Sequence, residues 1–228
     1  MYENTIGKHY NGESAIISLT SWSARIQTCG ITLFNLHKIC PQCHIVLVLA
    51  QPEFNTIDTL PSDIQCLIKH NIIELLFTRK NWKTFKKVIF TMYRYKGIPV
   101  ISADDDCIYT CNYAEQLINT LKYTNTDIVN YNNQYPTVSS TITQGPCCLY
   151  KNADRKFNQL SLGLLDSVGK YNNQDDVYMT DLCKMLGYTY SYVCESPYEL
   201  PYRFHTTNAA TNPSQYTSYL GRLACDSV

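Results

Sequence analysis

Short apolar runs alternate with amphipathic segments over the first 131 residues, and this alternation limits the possible folds more than any other feature of the sequence. Short apolar runs bounded by turn residues indicate buried strands, whereas apolar residues spaced three and four apart indicate helices. Strands that alternate with helices through short links are typical of an α/β fold with a mainly parallel sheet covered on both faces. The predicted strands are Ala15–Thr20, His44–Ala50, Ile72–Phe77, Pro99–Ala103 and Asp127–Tyr131, and the predicted helices are Cys29–Ile39, Ser62–His70, Trp82–Tyr95 and Asn112–Lys122.

The second part of the chain, residues 132–228, does not continue this regular alternation. The sequence shows no internal repeat and no linker, so we expect one domain that spans residues 1–228. In this part the predicted strands are Cys147–Tyr150 and Tyr188–Cys194, the predicted helices are Phe157–Leu165 and Val177–Leu186, and the tail, 196–228, is predicted to wrap the surface.

The composition is that of an ordinary globular protein, since 45% of the 228 residues are hydrophobic and 17% are charged. The formal net charge is zero and the only basic run is Lys83–Lys87, so we expect no nucleic-acid partner. No stretch approaches the roughly 20 apolar residues of a membrane span. The polar segment 1–14 also lacks the apolar core of a signal peptide, and we therefore expect a cytoplasmic protein.

The sequence holds eleven cysteines, an odd number without a pairing pattern. In a reducing compartment they are most simply free thiols. The segment Cys40-Pro41-Gln42-Cys43-His44 has the form of a c-type haem attachment site, but that chemistry needs export. A zinc site would need a second ligand pair of similar spacing, and the other cysteines do not supply a convincing one. We favour a third interpretation, a turn between a helix and the following strand.

An acidic triplet, Asp104-Asp105-Asp106, follows the predicted strand Pro99–Ala103. Adjacent carboxylates repel one another, so a cation that neutralises them would stabilise the group. Ligands of open α/β sheets bind outside the carboxyl ends of the strands, and carboxylate oxygens suit Mg²⁺ or Mn²⁺, which in turn bind phosphates. Alternation along an extended segment places Asp104 and Asp106 on the same side. The alternative is a solvated turn in which Asp105 caps a helix.

Five segments, in order between about Ala15 and Tyr216, resemble motifs of bacterial glycosyltransferases with the GT-A fold. They are Ile16–Ile26 (first strand and loop), Trp82–Lys87 (a lysine-bearing helix start), Ser102–Tyr109 (the D-x-D segment), Gln174–Tyr178 (an acidic motif, usually Glu-Asp-Asp) and His205–Asn208 (a C-terminal loop). Each segment alone is weakly specific, and the resemblance depends on the ordered set. It implies a GT-A fold with a nucleotide-sugar-binding half at about 1–131 and an acceptor-binding half with the tail at about 132–228.

The resemblance also implies a set of nucleotide-sugar-binding residues: Thr20, Ser21, Arg25, Lys86, Lys87, Asp104, Asp105 and Gly145. Arg25 would pair with a phosphate through its fork of donors, or form a surface salt bridge instead. Either lysine would reach the same phosphates, or both would line a solvated helix face. Asp104 would bind the ribose or the base, and Asp105 would have a structural role. The match at Gly145 is weakened by Pro146 and Cys147, which depart from glycine.

Metal binding and proton transfer are assigned by the same resemblance. Asp106 would ligate Mn²⁺ or Mg²⁺, and His205 would be either a further ligand or a structural histidine. Asp175 matches the general base that takes the proton from the acceptor hydroxyl, with Asp176 as the neighbouring candidate. Both precede the predicted helix Val177–Leu186, so capping that helix is their alternative role. Gln174 departs from the usual Glu of this motif.

The implied reaction moves a sugar from a nucleoside-diphosphate donor, first of all a UDP-sugar, to a hydroxyl of a glycan or lipid-linked acceptor, by direct displacement with inversion. The implied setting is bacterial surface polysaccharide assembly, with peripheral contact at the inner face of the membrane.

Two alternative functions remain. A sugar-nucleotide nucleotidyltransferase usually has a Gly-rich loop after its first strand, where this chain has Thr20–Arg25 without glycine. A non-catalytic glycan-binding module would use the nineteen tyrosines for sugar stacking, but it would not need an acidic triplet at the end of a buried strand. Compositional bias also explains the tyrosines.

Overall fold

The computed structural model describes residues 2–131, 147–152, 175–193 and 202–203. Its strands in these ranges are β1 (Tyr2–Gly7), β2 (Ala15–Thr20), β3 (Cys43–Ala50), β4 (Glu74–Thr78), β5 (Val100–Ser102), β6 (Cys107–Ile108), β7 (Ile128–Tyr131), β8 (Cys148–Tyr150), β9 (Tyr190–Val193) and β10 (Tyr202–Arg203). The α-helices are α1 (Ile26–Ile39), α2 (Ser62–Lys69), α3 (Lys86–Arg94), α4 (Tyr113–Thr124) and α5 (Asp175–Met185), and short 3₁₀ turns cover Ile57–Thr59 and Lys83–Phe85.

Eight strands form one sheet in the order β1-β4-β3-β2-β5-β8-β7-β9. The four strands β4, β3, β2 and β5 run parallel to one another, as do β7 and β9. Strand β8 runs antiparallel to both of its neighbours, and the edge strand β1 runs antiparallel to β4. Strands β6 and β10 pair in a separate ribbon. The predicted α/β fold with a mostly parallel sheet is confirmed.

Both faces of the sheet are covered, as the alternation of strands and helices predicts. Successive side chains of a strand point to opposite faces. Leu47 of β3 therefore packs in a core with residues of α1, α2 and α4, whereas its neighbour Val46 packs in a second core with residues of α3 and α5. All eight residues of β3 are buried, which explains why this strand reads as an unbroken apolar run.

The structure corrects several predicted boundaries. The helix predicted from Trp82 is a 3₁₀ turn followed by α3, which starts at Lys86; Lys83 has a left-handed φ of 51°, a conformation that interrupts an α-helix. The helix predicted from Val177 starts at Asp175, so both acidic residues belong to its first turn rather than preceding it. Negative side chains there interact favourably with the helix dipole.

Two further differences lie near the ends of the described chain. Strand β1 was not predicted, because an edge strand with a single neighbour tolerates polar residues and carries a weak pattern. In the predicted tail only Tyr202–Arg203 is described, and the predicted helix Phe157–Leu165 lies outside the described residues. Within the described ranges, the helices are too short or too polar for any of them to cross a membrane.

Candidate metal and nucleotide site

The acidic triplet lies at the carboxyl edge of the sheet, where β2 and β5 end side by side. These strands are parallel and pair Ser18 with Ser102, and the backbone N–H of Ala103 donates to the carbonyl of Ser18 at 2.9 Å. The residues after Thr20 therefore meet the residues after Ala103. This is the position at which open α/β sheets bind ligands.

Helix α1 fixes the conformation of the triplet through contacts that the sequence did not reveal. The Thr32 hydroxyl lies 3.0 Å from the carbonyl oxygen of Asp105 and 2.9 Å from that of Cys107. The side-chain amide of Asn35 accepts a hydrogen bond from the backbone N–H of Tyr109 at 2.7 Å and donates one to the carbonyl oxygen of Tyr109 at 3.2 Å. The Tyr109 hydroxyl in turn accepts a hydrogen bond from the backbone N–H of Asp104 at 2.7 Å. Both sides of the triplet are thus held by hydrogen bonds.

Arg25 joins the loop after β2 to two of the three carboxylates. Its guanidinium donates to Asp106 Oδ2 at 2.8 Å and also contacts Asp105 Oδ1, while the Ser21 hydroxyl donates to Asp105 Oδ2 at 2.5 Å. The side chains of Asp105 and Asp106 are each only 1% exposed, so the triplet is not a solvated turn. Arg25 forms a partly buried ion pair within the site rather than a surface salt bridge. Its Nε is buried and has no hydrogen-bond partner among the described residues.

The two predicted lysines are both buried at the start of α3, which rules out a solvated helix face. Lys87 Nζ lies 2.7 Å from Asp104 Oδ1, and Lys86 Nζ lies 2.8 Å from the carbonyl oxygen of Lys83. Arg25 and Lys87 thus place two positive charges against the three carboxylates of the triplet.

Burial changes the ionisation of two groups in the site. It raises the pKa of Asp105, and the charges of Asp106 and Asp104 act in the same direction, whereas Arg25 and Ser21 oppose the change. Burial also lowers the pKa of Lys86 to about 8, although the carboxylates of Glu53 and Asp105 oppose this shift.

The donor set fits Mn²⁺ or Mg²⁺ through its carboxylates. Asp104, Asp106 and Cys107 each offer a ligand atom, and these atoms all lie within 4.8 Å of one another. Carboxylate oxygens suit these hard ions, whereas the Cys107 sulfur does not. Asp104 and Asp106 would therefore hold the ion. The geometry agrees with the predicted alternation and adds Asp104, which the resemblance placed on the nucleoside, as a candidate ligand.

A cavity of about 330 Å³ lies next to the triplet, within the usual range of roughly 300–1,000 Å³ for small-molecule sites. It includes the predicted residues Thr20, Ser21, Arg25 and Lys86. The sequence analysis missed its other lining residues, which are Trp22, Glu53, Asn81, Lys83 and Thr84. Glu53 follows β3 and Asn81 follows β4. Ligands bind at the carboxyl ends of parallel strands, and this rule could have identified both residues from the sequence.

The first turn of α5 lies near the start of α3. Tyr178 packs edge-on against Phe85, with ring centroids 5.3 Å apart, and Phe85 immediately precedes Lys86. Asp176 is half-buried in that turn, and Asp175 is the first residue of the helix. The predicted site residues Gly145 and His205, and also Gln174, lie outside the described residues.

The Cys40–His44 segment forms the predicted turn, between α1 and β3. Burial raises the pKa of the Cys40 thiol to about 11 and that of Cys43 to about 12, and both side chains pack in the core. His44 Nε2 lies 2.7 Å from Glu74 Oε2 at the amino end of β3 and β4. This segment is therefore at the opposite edge of the sheet from the acidic triplet.

No protein-family model and no curated protein sequence matches the chain. Among solved structures, the mannosyltransferase PcManGT from Pyrobaculum calidifontis, in complex with GDP-Man and Mn²⁺, matches with a TM-score of 0.58 and 13% identity, over 92% of this chain and 62% of that one. The glycosyltransferase GlyE of Streptococcus pneumoniae TIGR4 matches with a TM-score of 0.50 and 13% identity, over 78% of this chain and 45% of that one. The bifunctional IspDF from Campylobacter jejuni matches with a TM-score of 0.49 and 15% identity, over 85% of this chain and 52% of that one.

The chain spans less than two thirds of the length of each of these proteins. At 13% identity, the likeness to PcManGT and GlyE is a likeness of fold. The chain therefore shares an α/β fold with these two proteins.

Proposed function

We propose that this protein is a glycosyltransferase that moves a sugar from a nucleoside-diphosphate donor to an acceptor hydroxyl. One observation carries the proposal: Asp104 and Asp106 bring their carboxylates together at the carboxyl edge of the sheet, beside Arg25, Lys87 and a cavity of about 330 Å³. A paired carboxylate site suits a divalent cation, and the adjacent cations suit a diphosphate. The fold shared with a mannosyltransferase whose structure holds GDP-Man and Mn²⁺ supports this interpretation.

Mn²⁺ or Mg²⁺ held by Asp104 and Asp106 would stabilise the charge that grows on the leaving diphosphate. Arg25 would serve the same group directly, because its side chain lines the adjacent cavity and its Nε has no hydrogen-bond partner among the described residues. Ser21 and Thr32 do not need to touch the donor: they hold the Asp105 carboxylate and backbone in place.

The proton of the acceptor hydroxyl would pass to a carboxylate in the first turn of α5. Asp175 is the first candidate and Asp176 the second, as the sequence resemblance implies. The contact between Tyr178 and Phe85 supports this assignment, because it brings that turn toward the helix start that carries Lys87. Direct displacement by the acceptor would invert the configuration of the transferred sugar.

The acceptor and the setting follow from the sequence resemblance. We propose a glycan or lipid-linked oligosaccharide acceptor in bacterial surface polysaccharide assembly, with the protein in the cytoplasm and in peripheral contact with the membrane. The acceptor would bind to the part of the chain at 132–228, as the resemblance implies. A UDP-sugar and a GDP-sugar are the two donors that a first screen must separate.

Release of the nucleoside diphosphate from a panel of nucleotide sugars tests the proposal. We expect release with Mn²⁺, loss of release in excess chelator, and loss of release in Asp106→Ala with Mn²⁺ present. Full activity under either condition would contradict the metal role. Nucleoside triphosphate with a sugar 1-phosphate should release no pyrophosphate; release would instead favour a nucleotidyltransferase.

A second variant tests the proton transfer separately. Asp175→Asn keeps the size of the side chain and removes its basicity, so donor binding should persist while transfer to the acceptor is lost. Asp176→Asn serves as the matched comparison. Normal transfer by Asp175→Asn together with loss in Asp176→Asn would assign the base to Asp176, and normal transfer by both would place it elsewhere.

A further inference from the structure

Two oppositely charged side chains line the cavity beside the acidic triplet: Lys86 is buried and Glu53 is half-buried. Glu53 Oε2 is shielded from solvent and has no hydrogen-bond partner among the described residues. Lys86 is buried, and its Nζ lies 2.8 Å from the carbonyl oxygen of Lys83 and 3.5 Å from Asn81 Oδ1. A carboxylate oxygen accepts hydrogen bonds and an ammonium donates them. The cavity wall therefore carries a carboxylate oxygen of Glu53 that lacks a hydrogen-bond donor. The Lys86 ammonium, which is held in a fixed position, lies close to it.

The cavity is continuous with the carboxylate site. Ser21 and Arg25 line the cavity wall, and the same two side chains contact the Asp105 carboxylate. A nucleotide with its diphosphate at Arg25 and the metal would thus place its nucleoside in this cavity. Trp22, on the same wall and 48% exposed, presents a flat aromatic face to which any base could stack.

The common nucleobases differ in how they match a carboxylate. Guanine carries two adjacent donors, the N1–H and the 2-amino group, next to the O6 acceptor. A carboxylate accepts such a donor pair with both oxygens, and an ammonium donates to the neighbouring carbonyl. Uracil and thymine carry one N–H between two carbonyl oxygens, so a carboxylate gains one hydrogen bond and meets two repulsive oxygens. Adenine and cytosine each place an acceptor beside their amino group.

We propose that this cavity holds the nucleobase of the donor and that Glu53 selects guanine, with Lys86 donating to O6, so that the donor is a GDP-sugar rather than the UDP-sugar expected from the sequence. The inference rests on the proposed function, because it takes the acidic triplet as the diphosphate site. Trp22 contributes affinity for all bases, and Glu53 contributes the discrimination among them.

Calorimetric titration of the full chain with GDP, IDP and UDP in Mg²⁺ tests the selection without any mutation. IDP lacks only the 2-amino group of GDP. We expect affinity to fall in the order GDP, IDP, UDP, with GDP binding at least about ten-fold more tightly than UDP, because hydrogen bonds to charged groups discriminate at that level. Equal or tighter binding of UDP, or equal binding of GDP and IDP, would overturn the role of Glu53.

Two variants separate selection from stacking. Glu53→Gln should reduce GDP affinity at least about ten-fold and leave UDP affinity within a few-fold. Trp22→Ala should weaken both nucleotides by a similar factor, of order ten. A Glu53→Gln protein that retains the preference for GDP contradicts the proposal. Its melting temperature without ligand shows whether the variant is folded. If the variant does not fold, the comparison of GDP with IDP on the wild-type protein tests the role of Glu53 instead.

The outcomes also distinguish this inference from the function on which it rests. Binding of several nucleoside diphosphates with no base preference overturns the selection by Glu53 and leaves the proposed glycosyltransferase standing. Absence of binding by every nucleoside diphosphate, with and without metal, overturns both.

Discussion

The Nζ of Lys87 lies 2.7 Å from Oδ1 of Asp104, at the edge of the sheet where the proposed metal binds. The side chain of Lys87 is 3% exposed and that of Asp104 is 18% exposed, so the pair is shielded from most of the solvent. A cation that already contacts a metal-binding carboxylate opposes a metal ion at the same oxygens. When donor and metal bind together, the diphosphate offers Lys87 a new partner.

Lys87→Met tests this exchange through two affinities that should change in opposite directions. Without nucleotide, Mn²⁺ should bind more tightly to the variant, by a factor of order ten, because a competing positive charge has been removed. With Mn²⁺ present, the nucleoside diphosphate should bind more weakly by a similar factor, because a cation that faces the diphosphate has been lost. Calorimetry gives both values. The matched control is Lys96→Met at an exposed position near the end of α3.

A fall in both affinities of Lys87→Met, or no change in either, would contradict the exchange of Lys87 between the carboxylate and the diphosphate.

Nucleotide affinity should depend on pH through Lys86. Burial lowers the pKa of this ammonium to about 8, so Lys86 is charged at pH 7 and neutral at pH 9.5. Affinity for a nucleoside diphosphate in Mg²⁺ should therefore decrease as pH rises through about 8. In Lys86→Met the profile should be flat over that interval. A wild-type profile that is flat from pH 7 to 9.5 would show that the charge of Lys86 does not contribute to binding.

Thr32→Val tests the support of the triplet from α1. The variant keeps the shape of the side chain but leaves the carbonyls of Asp105 and Cys107 without the hydroxyl. Unfolding free energy should fall by about 1–2 kcal/mol, and kcat should fall although Thr32 is not proposed to touch the donor. Thr124→Val, at an exposed hydroxyl, is the matched control and should change stability by less than about 0.5 kcal/mol. Denaturant unfolding and the release assay measure the two effects.

Unchanged kcat in a destabilised Thr32→Val protein would limit Thr32 to a role in folding.

The parallel strands could be predicted because burial on both faces dictates apolar residues at every position. All eight residues of β3 are buried, and the pattern identified this strand within one residue. The first turn of α5 was harder to place, because acidic residues are equally suited to the position before a helix and to its first turn. The structure places Asp175 and Asp176 inside the helix.

Arg25 was assigned by the resemblance alone, whereas the position of the acidic triplet could be predicted because it follows an apolar strand in sequence. The contacts of Thr32 with Asp105 and of Asn35 with Tyr109 could not, because they join residues 73 and 74 positions apart through the packing of α1 against β6. No local pattern contains that information. Glu53 was missed for a related reason: it meets Lys86 of α3 only through the packing of the fold, since the two residues belong to segments far apart in sequence.

Acid should destabilise the protein through Glu13. Burial raises its pKa, but the hydrogen bonds from Lys8 and from nearby backbone N–H groups outweigh this effect and lower the pKa from 4.5 to about 2. A depressed carboxyl pKa stabilises the folded state above about pH 4.5, and this contribution is lost as pH falls toward 2. Glu13→Gln should therefore lower stability at pH 7 by more than at pH 3. Glu115→Gln, at an exposed position, should show no such difference.

An equal loss of stability at pH 7 and pH 3 in Glu13→Gln would contradict the proposed linkage. Urea unfolding at the two pH values gives the comparison.

The central claim is that Asp104 and Asp106 hold a divalent cation with the diphosphate of the donor. Titration of Mn²⁺ followed by its electron paramagnetic resonance signal, with a nucleoside diphosphate present, measures this binding directly. The account predicts one tight site per wild-type chain, an affinity reduced at least about ten-fold in Asp106→Asn, and no change in Asp58→Asn, an exposed acid elsewhere. A wild-type chain that binds no Mn²⁺, or an Asp106→Asn chain that binds it as tightly as wild type, would contradict the account.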